Sequence, residues 1–349
     1  MADLLIYGSY GYTGELIAEA AVERGITPIL AGRSERKLAR QADELDCPTR
    51  PLDLAADDVP AALADVDVVL NCAGPFVDTY EPLVEACIES STHYLDITGE
   101  IDVFQGVAAH DEAARDAGVM LMSGVGFDVV PTDCLAAHLA DRLPDATHLA
   151  LGFEALSSVS AGTAKTAIEF VGDGGVVRRD GLLEPVAPAH KTRRIDFGRG
   201  ERTAATIPWG DLVTAAHTTG IPNVEVYAAM PEPIIWSMRG TRLFAPLLGC
   251  GPVKSTLQEL VDATVDGPSE RQREGGRSYL WGEATNDDGD RVVSRLETPE
   301  TYALTVETAL ATATRALDGD APAGYQTPAG AYGADLILDV EATAREDVE

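Results

Sequence analysis

The chain has 349 residues, of which 45% are hydrophobic, and it carries a formal net charge of −31. This length and apolar content are sufficient for two domains, each with a buried core. So large an excess of negative charge argues against nucleic acids and anionic membranes as partners, because both would be repelled.

The ionic residues are unusual in kind as well as in number. Only four of the 26 basic residues are lysines, and acidic residues occur along the whole chain. This composition favours a halophilic protein, whose self-repulsion is screened in a salt-rich cytoplasm, over an acidic mesophilic one. The five cysteines form no C-x-x-C pair, as expected in a reducing compartment. With no metal-ligand spacing, no run of about 18 apolar residues and a strand at the very start, we expect a cytoplasmic protein without metal, signal peptide or transmembrane segment.

The first predicted elements are a strand, a glycine-rich turn and a helix. An apolar run, Leu4–Tyr7, stops at Gly8, and Gly11 and Gly14 follow at three-residue spacing before an apolar-periodic segment. Glycines let the backbone turn sharply and approach a ligand closely. The following helix points its free N–H groups and positive dipole end at a phosphate. The pattern predicts a dinucleotide-binding turn.

The second predicted strand, residues 28–31, favours one dinucleotide over the other. An acidic residue near the end of this strand binds the ribose hydroxyls of NAD, whereas an arginine accommodates the 2′-phosphate of NADP. Here no acid precedes Glu35, and Arg33 stands at the strand end. We interpret Arg33 as the phosphate clamp, assisted by Ser34 and Arg36, so NADP(H) is favoured. A plain surface charge is the alternative for Arg33.

Strands and helices continue to alternate up to about residue 126. Strands are predicted over residues 49–52, 66–71, 93–96 and 119–123, and helices over residues 14–24, 36–45, 80–90 and 103–117. Their apolar runs suit strands covered on both faces. The alternation predicts an α/β domain with a Rossmann-type, doubly wound parallel sheet.

The pattern after residue 127 differs and predicts a second, α+β domain with a mixed, mostly antiparallel sheet. Helices are predicted over residues 133–143, 161–170 and 298–317, strands over 149–156 and 225–229, and strands joined by loops over 172–202. Asp288-Gly289 lies between alternating runs at 279–284 and 291–296, which is a strong hairpin signal. The most apolar stretch, residues 234–248, suggests core or a dimer interface, with contact to a membrane surface as a lesser alternative.

Ligands of parallel sheets bind at the carboxyl ends of the strands, where several candidate cofactor residues fall. Asn71, Cys72, Ala73 and Gly74 follow the fourth strand, and their backbone can pass close to the ribose and diphosphate, or simply form a tight loop. Asp53 follows the third strand and is a candidate for the adenine amino group, with a helix cap or a surface acid as the alternative.

Four residues are candidates for catalysis. Asp96 and Glu100 follow the fifth strand and suit acid–base chemistry or buttressing of loops through backbone N–H groups. Asp128 and Asp133 bracket a helix start, where N-capping is the alternative; of the two we select Asp128. Lys165 stands in the second domain of a lysine-poor chain, with a structural ion pair as its alternative.

The catalytic pair of short-chain dehydrogenases, Tyr-x-x-x-Lys, is absent. The residues four positions before the lysines, at 33, 161, 187 and 250, are Arg, Ala, Ala and Cys. This excludes the usual short-chain machinery.

Several motifs together resemble the saccharopine dehydrogenase-like family, in the branch with trans-acting enoyl reductases and the animal saccharopine dehydrogenase-like oxidoreductases. The motifs keep their order over nearly the whole chain. They are GSYGYTG at 8–14, AGR at 31–33, NCAGPF at 71–76, YLD at 94–96 with GE at 99–100, GFD at 126–128 with Pro131 and Asp133, GT at 162–163, PWGD at 208–211, GIPN at 220–223, WGE at 281–283 and QTPA at 326–329.

The resemblance implies NADP(H)-dependent reduction of a small-molecule or lipid-like substrate. It also implies three segments: an NADP-binding Rossmann domain at 1–127, a substrate and dimerisation domain at 128–297, and a C-terminal helix and tail at 298–349 that returns to the first domain. A homodimer is expected. The predicted cofactor-binding residues are Gly8, Tyr10, Gly11, Tyr12, Thr13, Gly14, Arg33, Ser34, Asp53, Asn71, Cys72, Ala73 and Gly74.

The reaction itself stays open at this point, because the family reduces both C=C and C=N bonds and the candidate acids do not map cleanly onto its catalytic residues. We favour the C=C bond of an enoyl substrate. Reduction of a C=N bond, as in saccharopine formation, needs cations for three carboxylates. The candidates are Arg178, Arg179, Arg193, Arg194 and Arg199, although an ordinary solvated face is the favoured alternative for them. A non-catalytic NADPH-binding sensor is the remaining alternative.

Overall fold

The computed structural model describes residues 3–155, 174–241 and 269–349, and the chain divides into two compact units. The first unit comprises Met1–Asp128 and Leu304–Ala331, and the second comprises Val129–Ala303 and Tyr332–Glu349. The C-terminal segment is therefore shared between them. Within the described ranges, no helix is both long enough and apolar enough to cross a membrane.

The described strands and helices are numbered in chain order. The strands are β1 (Leu4–Tyr7), β2 (Ile29–Gly32), β3 (Thr49–Pro51), β4 (Val68–Asn71), β5 (His93–Asp96), β6 (Met120–Met122), β7 (His148–Ala155), β8 (Gly175–Arg179), β9 (Leu182–Val186), β10 (Thr192–Asp196), β11 (Glu201–Thr206), β12 (Asn223–Ala229), β13 (Arg277–Thr285), β14 (Arg291–Pro299), β15 (Gly324–Gln326) and β16 (Ala344–Asp347). The helices are α1 (Tyr12–Glu23), α2 (Glu35–Leu45), α3 (Val59–Ala62), α4 (Tyr80–Ser90), α5 (Ile101–Ala108), α6 (Asp111–Ala117), α7 (Val130–Arg142), α8 (Asp211–Thr219), α9 (Glu232–Thr241), α10 (Glu270–Gly275), α11 (Thr301–Leu317) and α12 (Pro328–Tyr332).

The first unit is built on a parallel sheet in the order β3-β2-β1-β4-β5-β6-β15. Its central strands β1, β2 and β4 are buried at every position, because helices cover both faces and water is excluded from each. This confirms the predicted Rossmann-type sheet. The seventh strand, β15, comes from the C-terminal segment and pairs Tyr325 with Leu121.

One predicted helix of this unit, residues 103–117, is wrong as a single element. The structure has two helices, α5 and α6, with His110 at the start of the second. The break turns Asp111 towards β15, where its Oδ1 accepts hydrogen bonds from the backbone N–H of Tyr325 at 2.8 Å and from Arg115 at 2.9 Å. Gly118, at φ +72°, ends α6 as predicted.

The second unit is built on a sheet in the order β10-β11-β12-β7-β13-β14-β16, with β8 and β9 joined to it at β12. All its pairs are antiparallel except β12 with β7, which confirms the mixed, mostly antiparallel prediction. Helix α7 packs on β13 at Gly282, where a Cβ would lie 2.5 Å from Leu139 Cδ1. The predicted hairpin forms, with Gly289 at φ +90° in its loop.

Two helix predictions for the chain after residue 127 need correction. Helix α7 begins at Val130 rather than residue 133, helped by the preset backbone of Pro131 in its first turn. The last long helix begins at Thr301 rather than residue 298, because β14 continues to Pro299 and the Glu300 carboxylate then accepts the N–H of Tyr302 at 2.8 Å. Helix α8 was not predicted. The helix at 161–170 and residues 242–248 of the apolar stretch lie outside the described residues.

Candidate cofactor and proton-donor site

The glycine turn after β1 is pressed against the loop after β4. Gly8 has φ +81°, and a Cβ there would lie 2.8 Å from both N and Cβ of Ala73. A Cβ on Gly14 would collide with the carbonyl oxygen of Gly8. The N–H of Gly8 also donates to Ala31 O of β2 at 2.8 Å, and α1 begins directly after Gly11. The turn therefore leaves room only for backbone, with a helix N-terminus immediately behind it, as a diphosphate site requires.

Tyr10 of this turn lies across the end of β2. Its hydroxyl accepts a hydrogen bond from the N–H of Ser34 at 3.1 Å, and a Cβ on Gly32 would lie 2.7 Å from its ring. The ammonium group of Lys37 stands 5.1 Å from the ring centroid, within cation–π range. Turn and strand end are thus tied together. Lys37 was not among the predicted residues, although its position one turn after Arg33 was visible in the sequence.

The end of β2 also concentrates positive charge on an acidic protein. Arg33 and Arg36 are exposed, and neither is paired with another residue in the described part of the chain. Burial raises the pKa of Tyr7 to about 12, and the charge of Arg33 partly opposes that rise, which places the guanidinium near the end of β1. Ser34 precedes α2 without capping it through its side chain, so its hydroxyl is available for a ligand. Two arginines, a hydroxyl and a helix N-terminus suit a phosphate.

Asn71 stabilises the loop after β4 through hydrogen bonds of its side chain. This buried side chain accepts the N–H of Ala73 at 3.0 Å and donates to Thr79 Oγ1 at 3.0 Å and to Tyr94 OH at 3.3 Å. Cys72 N–H donates to Tyr7 O at 2.8 Å, and burial raises the pKa of the Cys72 thiol, which stays protonated at neutral pH. The residues Asn71, Cys72, Ala73 and Gly74 therefore form a rigid ledge beside the glycine turn.

Asp53 is engaged by its own loop. Its Oδ1 accepts the N–H of Ala55 at 3.0 Å, and its N–H donates to Asp57 Oδ2 at 2.7 Å. These two hydrogen bonds close the turn after β3.

Glu100 is the first of the candidate acids, and both its oxygens bind backbone. Oε1 accepts the N–H of Phe76 at 3.1 Å and Oε2 that of Val77 at 2.9 Å, so the carboxylate holds the loop after β4 against the loop after β5. This geometry favours a structural role for Glu100 over proton transfer.

Replacing Glu100 with alanine would leave those two N–H groups unpaired. We expect a loss of unfolding free energy of about 2 kcal/mol, with kcat reduced less than about tenfold. Urea unfolding and steady-state kinetics measure both quantities. Glu85→Ala, at an exposed position of α4, removes the same charge and is the control. A stable but inactive Glu100→Ala variant would contradict the structural role.

Asp96 is fully buried at the end of β5 and joins two loops. Its Oδ1 accepts the N–H of Thr98 at 3.0 Å and of Gly124 at 2.9 Å. Burial raises the pKa of Asp96, and these two hydrogen bonds oppose the rise. The carboxylate fixes the relative position of the loops after β5 and β6, where Asp128 also lies.

Asp128 differs from the other acids. It ends the loop after β6, and its Oδ2 lies so close to Gly99 that a Cβ there would stand 2.8 Å away. Burial raises the pKa of Asp128 to about 7. A carboxyl whose pKa lies near neutral pH is suited to act as a general acid. Gly99, which makes room for it, was not identified as a site residue from the sequence.

Of the two remaining candidates, Asp133 lies within the second unit and Lys165 lies outside the described residues. Asp133 is buried in the first turn of α7, where its Oδ1 accepts the Thr218 hydroxyl at 2.6 Å. It is therefore not the helix cap considered from the sequence.

The second unit's five candidate arginines are engaged elsewhere in that unit. Arg193 makes a bidentate pair with Glu283 at 2.9 and 3.1 Å and stacks 4.5 Å from the Trp281 ring centroid. The other partners are Leu212 O for Arg178, Glu184 for Arg179, Glu201 for Arg194 and the Tyr279 ring for Arg199. No cluster that could hold a metal ion occurs in the described ranges.

Comparison with known proteins identifies the first unit's principal segment. Residues 4–122 match the family model of the saccharopine dehydrogenase NADP binding domain. This segment is thus an NADP-binding domain, and the family resemblance and the NADP(H) prediction are confirmed.

Relatives and a solved structure agree with that match. The saccharopine dehydrogenase-like oxidoreductase of Bos taurus is 30% identical over 213 residues, covering 52% of this chain and 50% of that protein. The trans-acting enoyl reductase of Mycobacterium bovis is 34% identical over 140 residues, covering 38% of this chain and 34% of that protein. The match thus spans half the length of the first relative and about a third of the second. Apo saccharopine dehydrogenase (L-Glu forming) from Saccharomyces cerevisiae shares the fold, with a TM-score of 0.68 at 13% identity over 100% of both chains.

Proposed function

We propose that this chain, whose residues 4–122 are an NADP-binding domain of the saccharopine dehydrogenase type, is an NADPH-dependent reductase of a polarised C=C bond in an enoyl, lipid-like substrate. One observation carries the proposal. A single unit holds the glycine turn, the unpaired arginines at the end of β2 and an acid, Asp128, whose pKa is raised by burial to about 7.

The first unit's residues divide the work of binding between them. Gly8, Gly11 and Gly14, with the start of α1, would take the diphosphate, and Arg33, Ser34 and Arg36 the 2′-phosphate. The ledge from Asn71 to Gly74 would lie under the ribose. We propose that Tyr10, Tyr12 and Thr13 also contact the cofactor, and that Asp53 contacts its adenine.

The chemistry needs one hydride and one proton. NADPH, when bound, would supply the hydride for the β-carbon of the enoyl group. Asp128 gives its proton to the α-carbon, where the negative charge develops, and its carboxylate is reprotonated from water. The products would be the saturated substrate and NADP⁺.

Two observations favour a C=C bond over the C=N bond of saccharopine chemistry. A relative at 34% identity is a trans-acting enoyl reductase. The second unit's candidate arginines, which would have to bind three substrate carboxylates, are already engaged by carboxylates, a backbone carbonyl or an aromatic ring. A panel of enoyl thioesters and imines with NADPH tests the choice. Oxidation of NADPH by enoyl substrates alone supports it, oxidation by imines alone contradicts it, and tight binding without turnover across the panel indicates a sensor.

The Arg33 side chain gives the cofactor prediction a direct test. Arg33→Ala should lower NADPH affinity by about 10- to 100-fold, because a charge-assisted hydrogen bond contributes about 1.5–3 kcal/mol, and should leave NADH affinity unchanged. Arg40→Ala removes the same charge from the same region, where Arg40 pairs with Glu44 at 3.1 Å, and is the control. Titration calorimetry measures all four affinities. Equal losses for NADPH and NADH would contradict the phosphate assignment.

A homodimer and a cytoplasmic location are further parts of the proposal. Two apolar side chains of α9, Ile234 and Trp236, are 49% and 68% exposed. A second copy would cover such a surface, and Trp236→Arg should then shift the sedimentation coefficient from that of a dimer to that of a monomer.

The four described cysteines are unpaired thiols, as in a reducing cytoplasm. Because of the net charge of −31, these assays belong in molar KCl.

A further inference from the structure

Two threonine side chains of α11 form hydrogen bonds with the backbone of the loop that carries Asp128. Thr305 Oγ1 accepts the N–H of Phe127, the residue before Asp128, at 3.0 Å. Thr308 Oγ1 donates to the carbonyl oxygen of Val125 at 2.8 Å. Both threonines are buried, and both belong to the same unit as Asp128.

Close packing between α11 and this loop accompanies the two hydrogen bonds. A Cβ on Gly126 would lie 2.9 Å from Thr305 Cγ2, so the glycine lets the helix approach the backbone between the two hydrogen bonds. The other side of the loop is held by β5, since Val125 N–H donates to Asp96 O at 2.8 Å and Gly124 N–H to Asp96 Oδ1 at 2.9 Å. The loop is thus fixed between β5 and α11, with Asp128 directly after its last held residue.

We propose that Thr305 and Thr308 are positioning residues for Asp128, and that their hydroxyl groups hold its carboxyl in the sheltered place beside Gly99 from which it donates a proton. The inference rests on the proposed function, in which Asp128 is the donor. It predicts that loss of either hydroxyl releases the loop, exposes the carboxyl further to water and weakens proton donation.

Valine has the shape of threonine without its hydroxyl, so it isolates the hydrogen bond. Thr305→Val removes the hydroxyl that accepts the Phe127 N–H, and Thr308→Val removes the hydroxyl that donates to the Val125 carbonyl oxygen. We expect kcat for the enoyl substrate to fall about 10- to 100-fold in each, with NADPH affinity unchanged, and Thr305→Ser to restore most of the loss. Thr312→Val is the matched control, because Thr312 is buried in the same helix and its hydroxyl donates at 2.8 Å to the carbonyl oxygen of Thr308, within the helix itself.

A second readout does not depend on turnover. Carbon NMR of protein labelled at the aspartate carboxyl carbons, with Asp128→Asn identifying the resonance, follows the titration of Asp128 directly. The midpoint should lie at about 7 in the unaltered protein and move towards the ordinary value near 4 in Thr305→Val and Thr308→Val, because water then reaches the carboxylate.

The outcomes separate the inference from the proposed function. A shifted midpoint together with a lowered kcat supports the positioning role and the proposed function. A shifted midpoint in a protein that is inactive on every substrate supports the positioning role and overturns the proposed function. An unchanged midpoint in both valine variants overturns the inference, whatever the activity. If one valine variant does not fold, the titration midpoint of Asp128 in the serine variant and in the other valine variant still tests the positioning role.

Discussion

Asp128→Asn should lower kcat for an enoyl substrate by about 10²- to 10⁴-fold, the usual contribution of a positioned general acid, while NADPH still binds. The amide matches the carboxyl in shape but cannot release a proton. In the unaltered protein, kcat should be highest at low pH and fall as pH rises through about 7, because the protonated form of Asp128 is the active one. Steady-state kinetics across pH measure both effects.

Asp102→Asn, at an exposed position of α5, is the matched control and should leave the pH profile unchanged. Stability gives an independent check. A carboxyl whose pKa is raised in the folded state binds more protons there than in the unfolded chain, so the contribution of Asp128 to the unfolding free energy should decrease as the pH rises from about 4 to 7. Over this range the unfolding free energy of the unaltered protein should therefore fall relative to that of Asp128→Asn. An unaltered kcat and pH profile in this variant would exclude Asp128 as the donor.

Gly8→Ala should abolish NADPH binding within the measurable range and lower the melting temperature. The added Cβ meets a left-handed backbone at φ +81° and stands 2.8 Å from the backbone N of Ala73, so either the glycine turn or the Asn71–Gly74 ledge must move. Cofactor fluorescence titration and thermal unfolding measure the two effects.

Gly25→Ala separates the collision from the backbone strain. Gly25 has nearly the same φ, +79°, but nothing lies within 4 Å of its added Cβ. We expect it to cost about 1 kcal/mol of stability and to leave NADPH affinity unchanged. Equal behaviour of the two variants would contradict the close approach between the turn and the ledge.

Much of the first unit could be predicted from sequence because its signals are local. The strands Leu4–Tyr7 and His93–Asp96 occur where the apolar runs placed them, and turns such as Gly118 have one dominant backbone solution. The Asp288-Gly289 hairpin is local in the same sense. A second Asp-Gly signal, Asp180-Gly181, was overlooked; both residues have positive φ and join β8 to β9 in a two-residue hairpin.

The features missed depend on contacts between distant parts of the chain. The break between α5 and α6 places Asp111 against the backbone of Tyr325, 214 residues away in sequence. For Glu100, sequence left acid–base chemistry and buttressing as alternatives, and only the N–H groups of the loop after β4 favour buttressing. The hold of Thr305 on Phe127 spans 178 residues. No periodicity or motif encodes such pairs, so a strand-end acid could be located from sequence but its role could not be assigned.

The most direct test of the account is a single-turnover reaction of an enoyl thioester with NADPH carrying deuterium at the transferred position, analysed by mass spectrometry and NMR of the product. We expect one deuterium at the β-carbon, a solvent-derived proton at the α-carbon, and loss of the reaction in Asp128→Asn. Tight NADPH binding with no deuterium transferred to any enoyl or imine substrate would contradict the proposed reductase.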